Sequence, residues 1–258
     1  MAYGCGTPAS PVTPTPIPPP PPPPPPPPVV NNPPRIVSIT SSASKVEVGE
    51  EVTFTANVTD DESSDSELTL QWEAPAGTLS GTGLIVKWKA PTTMPTPAAY
   101  QISLVVIEKY GPVAQTLEHR VTAKSSDIHV NDSPTEVLAL SEQFLKDFAD
   151  SSKTPDYCVQ NFSDSCPGKR SELKDIIDNR NKYTIMSSKF SKFKVSFSSP
   201  TSSRVNVACT FTSKIKQTGA IEIADGTCKL DLIYEAFRWW LCNSSYDKLD
   251  AEGPNFIF

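Results

Sequence analysis

From Arg35 onward the chain alternates apolar and polar residues in short runs. Ile36 and Ile39 mark the first, Val46 and Val48 the second, and Val52, Phe54 and Ala56 the third. Leu68, Leu70 and Trp72 repeat the alternation, as do Leu84, Val86 and Trp88. Tyr100, Ile102, Leu104 and Val106 form a sixth run, and Leu117 to Val121 a seventh. Period two is the signature of a strand with one buried face. Seven such runs, separated by turn residues, predict an all-β sandwich over residues 35–127, with Trp72 and Trp88 as core anchors.

The period changes after Ser133. Val137, Leu140, Phe144, Leu145 and Phe148 recur at helical spacing, with Ser133 or Thr135 as cap and Pro134 in the first turn. A loop over residues 153–168 and a short second helix from Ser171 to Ile177 follow. Alternation then returns in five runs: Thr184 to Ser188, Phe193 to Phe197, Val205 to Phe211, Cys228 to Tyr234, and Phe237 to Cys242. Helices followed by a strand meander predict an α+β domain over residues 134–249, with a curved antiparallel sheet wrapped around the first helix. Residues 128–133 read as a linker and residues 250–258 as a tail.

The first 34 residues belong to neither domain. Of the chain's 27 prolines, eleven run without interruption from Pro18 to Pro28. Proline fixes φ and removes the backbone donor, so this segment is disordered or a polyproline II rod. As a rod, the eleven residues span about 34 Å at roughly 3.1 Å per residue. The segment 1–34 therefore reads as an anchor and spacer, with a docking arm for an aromatic groove as the alternative.

Composition narrows the function classes. Of 258 residues 38% are hydrophobic, and no run approaches the length of a membrane helix. The formal net charge of −6 argues against a nucleic-acid partner. Two histidines, His119 and His129, leave little room for histidine catalysis, and both read as surface or edge residues.

Residues 35–127 carry 7 basic and 12 acidic side chains. Five of the acids fall between Asp60 and Glu67, where Asp60, Asp61, Asp65 and Glu67 are candidate oxygen ligands for Ca²⁺. The weightier reading is a solvated acidic loop, with no cofactor at all. Lys189, Lys192 and Lys194 close a basic stretch that begins at Lys169; they read first as solvent faces of a helix and two strands, and otherwise as candidates for contact with anionic lipid, glycan or a partner's acidic surface. Phe256 and Phe258, beyond the Gly253-Pro254 break, are further candidates for partner contact.

The six cysteines suggest an oxidising compartment. Cys158 and Cys166 can close a short loop. A two-residue turn at Thr218-Gly219 would set Cys209 opposite Cys228, and Cys228 with Cys242 is the rival pairing. Cys242 is the expected free thiol if Cys5 is used elsewhere. No Cys-x-x-Cys pair is present, which sets aside redox catalysis and zinc ribbons.

Three resemblances sharpen these readings. Gly4-Cys5 resembles the end of a bacterial lipoprotein signal, which makes Cys5 a candidate lipid anchor. The stretch Val48 to Ala56, Asp60-Asp61, Leu68 to Ala74, Gly77 to Gly83 and Trp88-Lys89-Ala90-Pro91 resembles a polycystic-kidney-disease domain or a related immunoglobulin-like domain. Such domains are mostly extracellular spacers and adhesion modules. Leu232 to Asn243 is similar to the closing hairpin of nuclear-transport-factor-two-like, or cystatin-like cone, domains.

The last group includes isomerases and dehydratases that use an acidic base with a tyrosine or second acid, and many non-catalytic binding domains. Asp147, Tyr183, Asp231 and Tyr234 are present, but no spacing joins them into a constellation. Together the resemblances imply a bacterial outer-membrane, cell-surface or extracellular protein. Its partner would be a protein of the envelope or of an extracellular assembly, and it would touch the membrane through lipid on Cys5. Its expected role is non-catalytic. A carrier or isomerase using the cone cavity, and a calcium-dependent adhesin, are the alternatives.

Overall fold

The computed structural model describes Met1, Gly4, Gly6 and residues 31–249. Cys5, the proline run, Phe256 and Phe258 lie outside the described residues. The chain divides after Asn31, and everything below concerns the unit that begins at Asn32. The described residues are mostly β-sheet with three α-helices.

The first half contains β1 (Arg35–Ser41), β2 (Lys45–Glu47), β3 (Glu51–Thr59), β4 (Thr69–Glu73) and β5 (Thr78–Thr82). It continues with β6 (Ile85–Lys89), β7 (Ala98–Tyr100), β8 (Ser103–Tyr110), β9 (Leu117–Lys124) and β10 (Ile128–Asn131). The strands form sheets in the orders β1-β3-β6-β5, β4-β8-β9 and β2-β10-β7. The alternation works as its period requires: Val52, Phe54, Ala56 and Val58 of β3 are buried, while Glu51, Thr55, Asn57 and Thr59 face water. Ala56 and Val58 share a cluster with Leu104 and Val106 of β8, so two sheets pack face to face.

Trp88 is wholly buried and donates to the Ala76 carbonyl at 2.8 Å. Trp72 is only half-buried, with its Nε1 on the Gly83 carbonyl at 2.9 Å. Strand β5 was not expected, because Gly77 to Gly83 lacks an apolar alternation. Gly77 sits at φ 78°, and a Cβ there would stand 2.3 Å from the Lys89 carbonyl oxygen, so only glycine fits.

The segment expected as a linker is β10. It pairs parallel with β2, Val130 beside Val46, and antiparallel with β7. Asp132 alone separates it from α1 (Ser133–Ala149), and Asp132, not Ser133 or Thr135, caps that helix by accepting from the Thr135 amide. Buried Ile128 and Val130 explain the difference: they complete the first half's core.

The second half continues with α2 (Pro155–Cys158), α3 (Gly168–Lys182), β11 (Tyr183–Ser199), β12 (Ser202–Ile215), β13 (Ile221–Glu235) and β14 (Arg238–Lys248). The last four form one antiparallel sheet in sequence order. Two expected runs fuse into the 17-residue β11. Its register shifts between Ser191 and Lys194, and Lys192 takes φ 55°, so a bulge breaks the alternation without ending the strand. Helix α3 also outruns its expected span, because its last turns are polar and leave no apolar period to read.

The apolar faces of α1 and the sheet meet in one continuous core. Phe144, Phe148, Phe162, Phe211, Tyr183 and Trp239 fill it, with Leu230, Leu232 and Leu241 between them. Phe144 meets Phe162 edge-on at 5.2 Å, and Phe148 meets Phe211 at 5.8 Å.

The cysteines correct two expectations. Cys166 pairs with Cys242, not with Cys158, and their Cα atoms are 5.2 Å apart. Among the described residues Cys158 is the free thiol, buried and donating to the Asp147 carbonyl. Helix α2 turns it toward the core, away from Cys166. Cys209 does pair with Cys228, but not face to face: Cys209 lies opposite Gly226 and Cys228 opposite Val207. The connection is a four-residue loop closed by Ile215 and Ala220, which shifts the register from that of a two-residue turn.

Glu172 of α3 is buried against β14, where Ser244 Oγ donates to it, and its other carboxylate oxygen has no hydrogen-bond partner. Burial, with Asp175 adding to it, pushes its pKa up from 4.5 to about 7, against the bond from Ser244. A raised carboxyl pKa means that the folded state holds the proton more tightly than the unfolded chain. The stability contribution is therefore full below about pH 4.5 and is lost as pH rises to about 7. Glu172→Gln should abolish that slope and stabilise the protein above pH 7, by on the order of 3 kcal/mol. Urea midpoints measured from pH 5 to pH 8 on parent and variant check this.

Candidate functional site

A densely bonded polar group lies where the two halves meet. Val46 of β2 is buried in the first half's core, so its neighbours Lys45 and Glu47 must point the other way. There they meet the start of α1. The Lys45 ammonium lies 3.1 Å from Glu47 Oε1, 3.1 Å from Ser133 Oγ and 3.1 Å from the Pro200 carbonyl. It also sits 4.1 Å above the Tyr234 ring and 5.1 Å from the Trp239 ring.

Glu47 accepts from the Ser133 hydroxyl at 2.7 Å and the Ser133 amide at 2.8 Å. Trp239 Nε1 donates to the same hydroxyl at 2.9 Å. Ser133 is 3% exposed, so its hydroxyl joins an ammonium, a carboxylate and an indole out of water.

A second chain of bonds runs beside the first. Tyr234 Oη donates to Asn131 Oδ1 at 2.8 Å, and Asn131 Nδ2 donates to Glu136 Oε2 at 2.8 Å. Burial, then the Glu136 and Glu47 carboxylates, push the Tyr234 hydroxyl up to about 12, which keeps it a donor. At the rim, Phe237 stacks on His129 at 3.6 Å. Phe237 and Ala236 form the β13–β14 turn with φ 64° and 47°, the left-handed pair a two-residue hairpin needs. Neither residue favours that region, at a cost of order 1–3 kcal/mol each.

Beside this junction opens a cleft of about 500 Å³, lined by Lys45, Glu47, Glu50, Ser133, Phe197 and Ser199, among others. A second groove of about 480 Å³ lies between Ser196, Ser202, Arg204, Asp231 and Ile233. Phe197 and Ser198 line both, so the β11–β12 hairpin is a ridge between them. Phe197 is 43% exposed and rests edge-on against Trp239. Volumes of this size suit a peptide segment or a small molecule. A third hollow, beside Phe148, Arg180 and Tyr183, holds only about 130 Å³.

The sequence candidates fall elsewhere. Asp60 accepts from the amides of Glu62 and Ser63, and Glu67 from the amide and hydroxyl of Ser64. These two acids cap their own turns, and Asp61 and Asp65 are exposed. No three His, Cys, Asp or Glu side chains are grouped to hold a metal ion among the described residues. Lys189, Lys192 and Lys194 are exposed on β11. Asp147 holds Gln143, Asp231 pairs with Arg204 on the sheet's outer face, Tyr183 starts β11, and Tyr234 sits at the junction. These four do not meet. His129, read as a surface residue, is half-buried under Phe237. Lys45, Glu47, Asn131 and Ser133 were not singled out for this role, although the Lys-Val-Glu alternation of β2 carried a signal.

No family model and no curated protein matches the chain. Among solved structures, the chain is similar to a ketosteroid isomerase-like protein from Erwinia carotovora atroseptica, with 17% identity. That match covers 46% of this chain and 98% of the other, at a TM-score of 0.40. It is also similar to a putative scytalone dehydratase from Novosphingobium aromaticivorans, with 14% identity over 46% of this chain and 88% of the other, at a TM-score of 0.39. Likenesses of this size do not reach to an activity.

Ser133→Ala should destabilise the protein by about 1–3 kcal/mol, because Lys45, Glu47 and Trp239 lose a shared partner out of water. Breaking the exposed Lys174–Asp178 pair by Lys174→Ala should change stability by less than about 0.5 kcal/mol. Urea denaturation of the two variants side by side checks the contrast.

Proposed function

We propose that the protein is a non-catalytic binding or assembly protein of the bacterial cell surface. In this reading Cys5 is the anchor and the proline run the spacer. An immunoglobulin-like sandwich of the polycystic-kidney-disease type and a nuclear-transport-factor-two-like cone are presented together as one body. The observation that carries the reading is the occupied interior of the second half. Phe144, Phe162 and Phe211 are at most 2% exposed and pack into one continuous core. The hollow of about 130 Å³ falls below the roughly 300 Å³ at which small-molecule sites begin. The buried carboxylates of Asp147 and Glu172 face side chains and not a chamber. Contact through the two outer grooves and the Phe197 ridge fits this shape better than chemistry inside it.

Ligand-induced thermal shift tests the reading. Apolar cyclic ketones added up to their solubility limit should leave the parent protein's thermal midpoint unchanged. Phe144→Ala should cost about 3–5 kcal/mol and open a dry cavity that small aromatic compounds then stabilise. A saturable rise of the parent's midpoint with a ketone would overturn the filled interior on which this reading rests, since a ligand that binds only the folded state must stabilise it.

A further inference from the structure

The curved sheet has two edges, and the chain treats them differently. At β14 the edge is bridged at Leu241. Leu241 donates to the Asn161 carbonyl at 3.0 Å and accepts from the Ser163 amide at 2.8 Å, and the Cys166–Cys242 disulfide clamps that segment in place. At β11 no described strand pairs with the outer side. Register shifts at Ile185/Ser187, Ser191/Lys194 and Phe197/Ser199 divide this open edge, and its regular stretches, Ser187 to Ser191 and Lys194 to Phe197, are the template for another strand.

The side chains along this edge are selective. Strand β11 contains three lysines and no acid, in a chain whose net charge is −6. Lys189 stands beside Thr210 and Lys194 beside Asn206, on the face opposite buried Val207, Cys209 and Phe211. The acids on that outer face are already engaged: Asp231 by Arg204 at 2.6 Å, Asp247 by Lys229, and Asp225 by Thr210 at 2.5 Å. Among the described residues no acid pairs with Lys189, Lys192 or Lys194. Exposed Met186 and Phe197, at 57% and 43%, bracket the lysines.

Lysines blunt an edge against a second copy of itself, because the same charges meet across the new ladder. They do not blunt it against a strand of opposite charge. One feature thus repels the wrong strand and attracts the right one.

We propose that the β11 edge docks an extended acidic segment of a partner protein, which joins the sheet as a fifth strand with apolar residues beside Met186 and Phe197. The proposal rests on the binding-protein reading and names the chemistry of the partner. Backbone pairing would supply the affinity and the lysines the choice of sequence.

Fluorescence anisotropy and hydrogen exchange on the full chain test it together. The probe is a synthetic peptide of about thirteen residues alternating Glu and Val, long enough at roughly 3.3 Å per residue to run from Met186 to Phe197. It should bind, weaken as salt is raised, and slow exchange of the β11 amides. The triple variant Lys189→Glu, Lys192→Glu, Lys194→Glu should bind it at least about tenfold more weakly, at the summed value of three exposed pairs. These lysines have no described acidic partners, so an unchanged thermal midpoint is expected of the variant, and the triple Gln variant gives an intermediate loss.

The proposal is overturned if the peptide does not bind, if the same peptide with Lys for Glu binds as well, or if binding leaves β11 exchange unchanged. It is also overturned if heparin or phosphatidylglycerol vesicles bind while the peptide does not. A failure here with the ketone test still negative removes only the edge. A positive ketone test removes the filled interior on which the binding-protein reading rests.

Discussion

One buried serine hydroxyl ties the two halves together. Ser133 starts the second half's first helix, two residues after the first half's last strand, and bonds a lysine and a glutamate from one side and a tryptophan from the other. The Lys45–Glu47 pair is half-buried at the edge of the cleft, and Ser133, the Pro200 carbonyl and the Tyr234 ring hold its two groups in place. The cost of partial satisfaction makes the arrangement specific. A slip of either half would strand a charge or an indole donor, so few relative placements of the halves are acceptable. The stacked His129–Phe237 pair and the strained Ala236-Phe237 turn belong to the same constraint. Strain of that kind persists only where surrounding contacts hold it.

From that constraint the remaining features follow in order. Because β10 runs into α1 through Asp132, the chain has no slack at the junction. Helix α1 enters the second half at a fixed angle, and the sheet closes over Phe144 and Phe148. Closure fills the interior, which moves available contact surface to the outside: the two grooves, the ridge of Phe197 and the edge of β11. The disulfides act in the second half alone. One fastens the α2–α3 segment to β14, and the other staples β12 to β13.

Much of the framework was legible in the sequence, because burial on one face leaves a period that survives in the text. Val52-Phe54-Ala56 and Phe144-Leu145-Phe148 read directly as strand and helix. The misreadings have physical causes. The bulge at Lys192 made β11 look like two strands, since one extra residue inverts the alternation. The glycine-rich β5 had no apolar face to announce it. Disulfide pairing depended on a loop length that side-chain pattern does not encode. The junction was hidden for another reason: Lys45, Glu47 and Ser133 are ordinary surface residues until distant segments meet. Glu47 and Ser133 lie 86 residues apart along the chain, so nothing local joins them, although the alternation of β2 shows that Lys45 and Glu47 share a face.

Differential scanning calorimetry of the full chain tests the central claim most directly, which is that the junction makes the two halves one cooperative body. A single transition is expected, with van't Hoff and calorimetric enthalpies in agreement, because neither half can melt without breaking the hydrogen bonds of buried Ser133, Asn131 and Trp239. Two resolved transitions, or a van't Hoff enthalpy near half the calorimetric value, would contradict it and leave the halves as independent modules on a string.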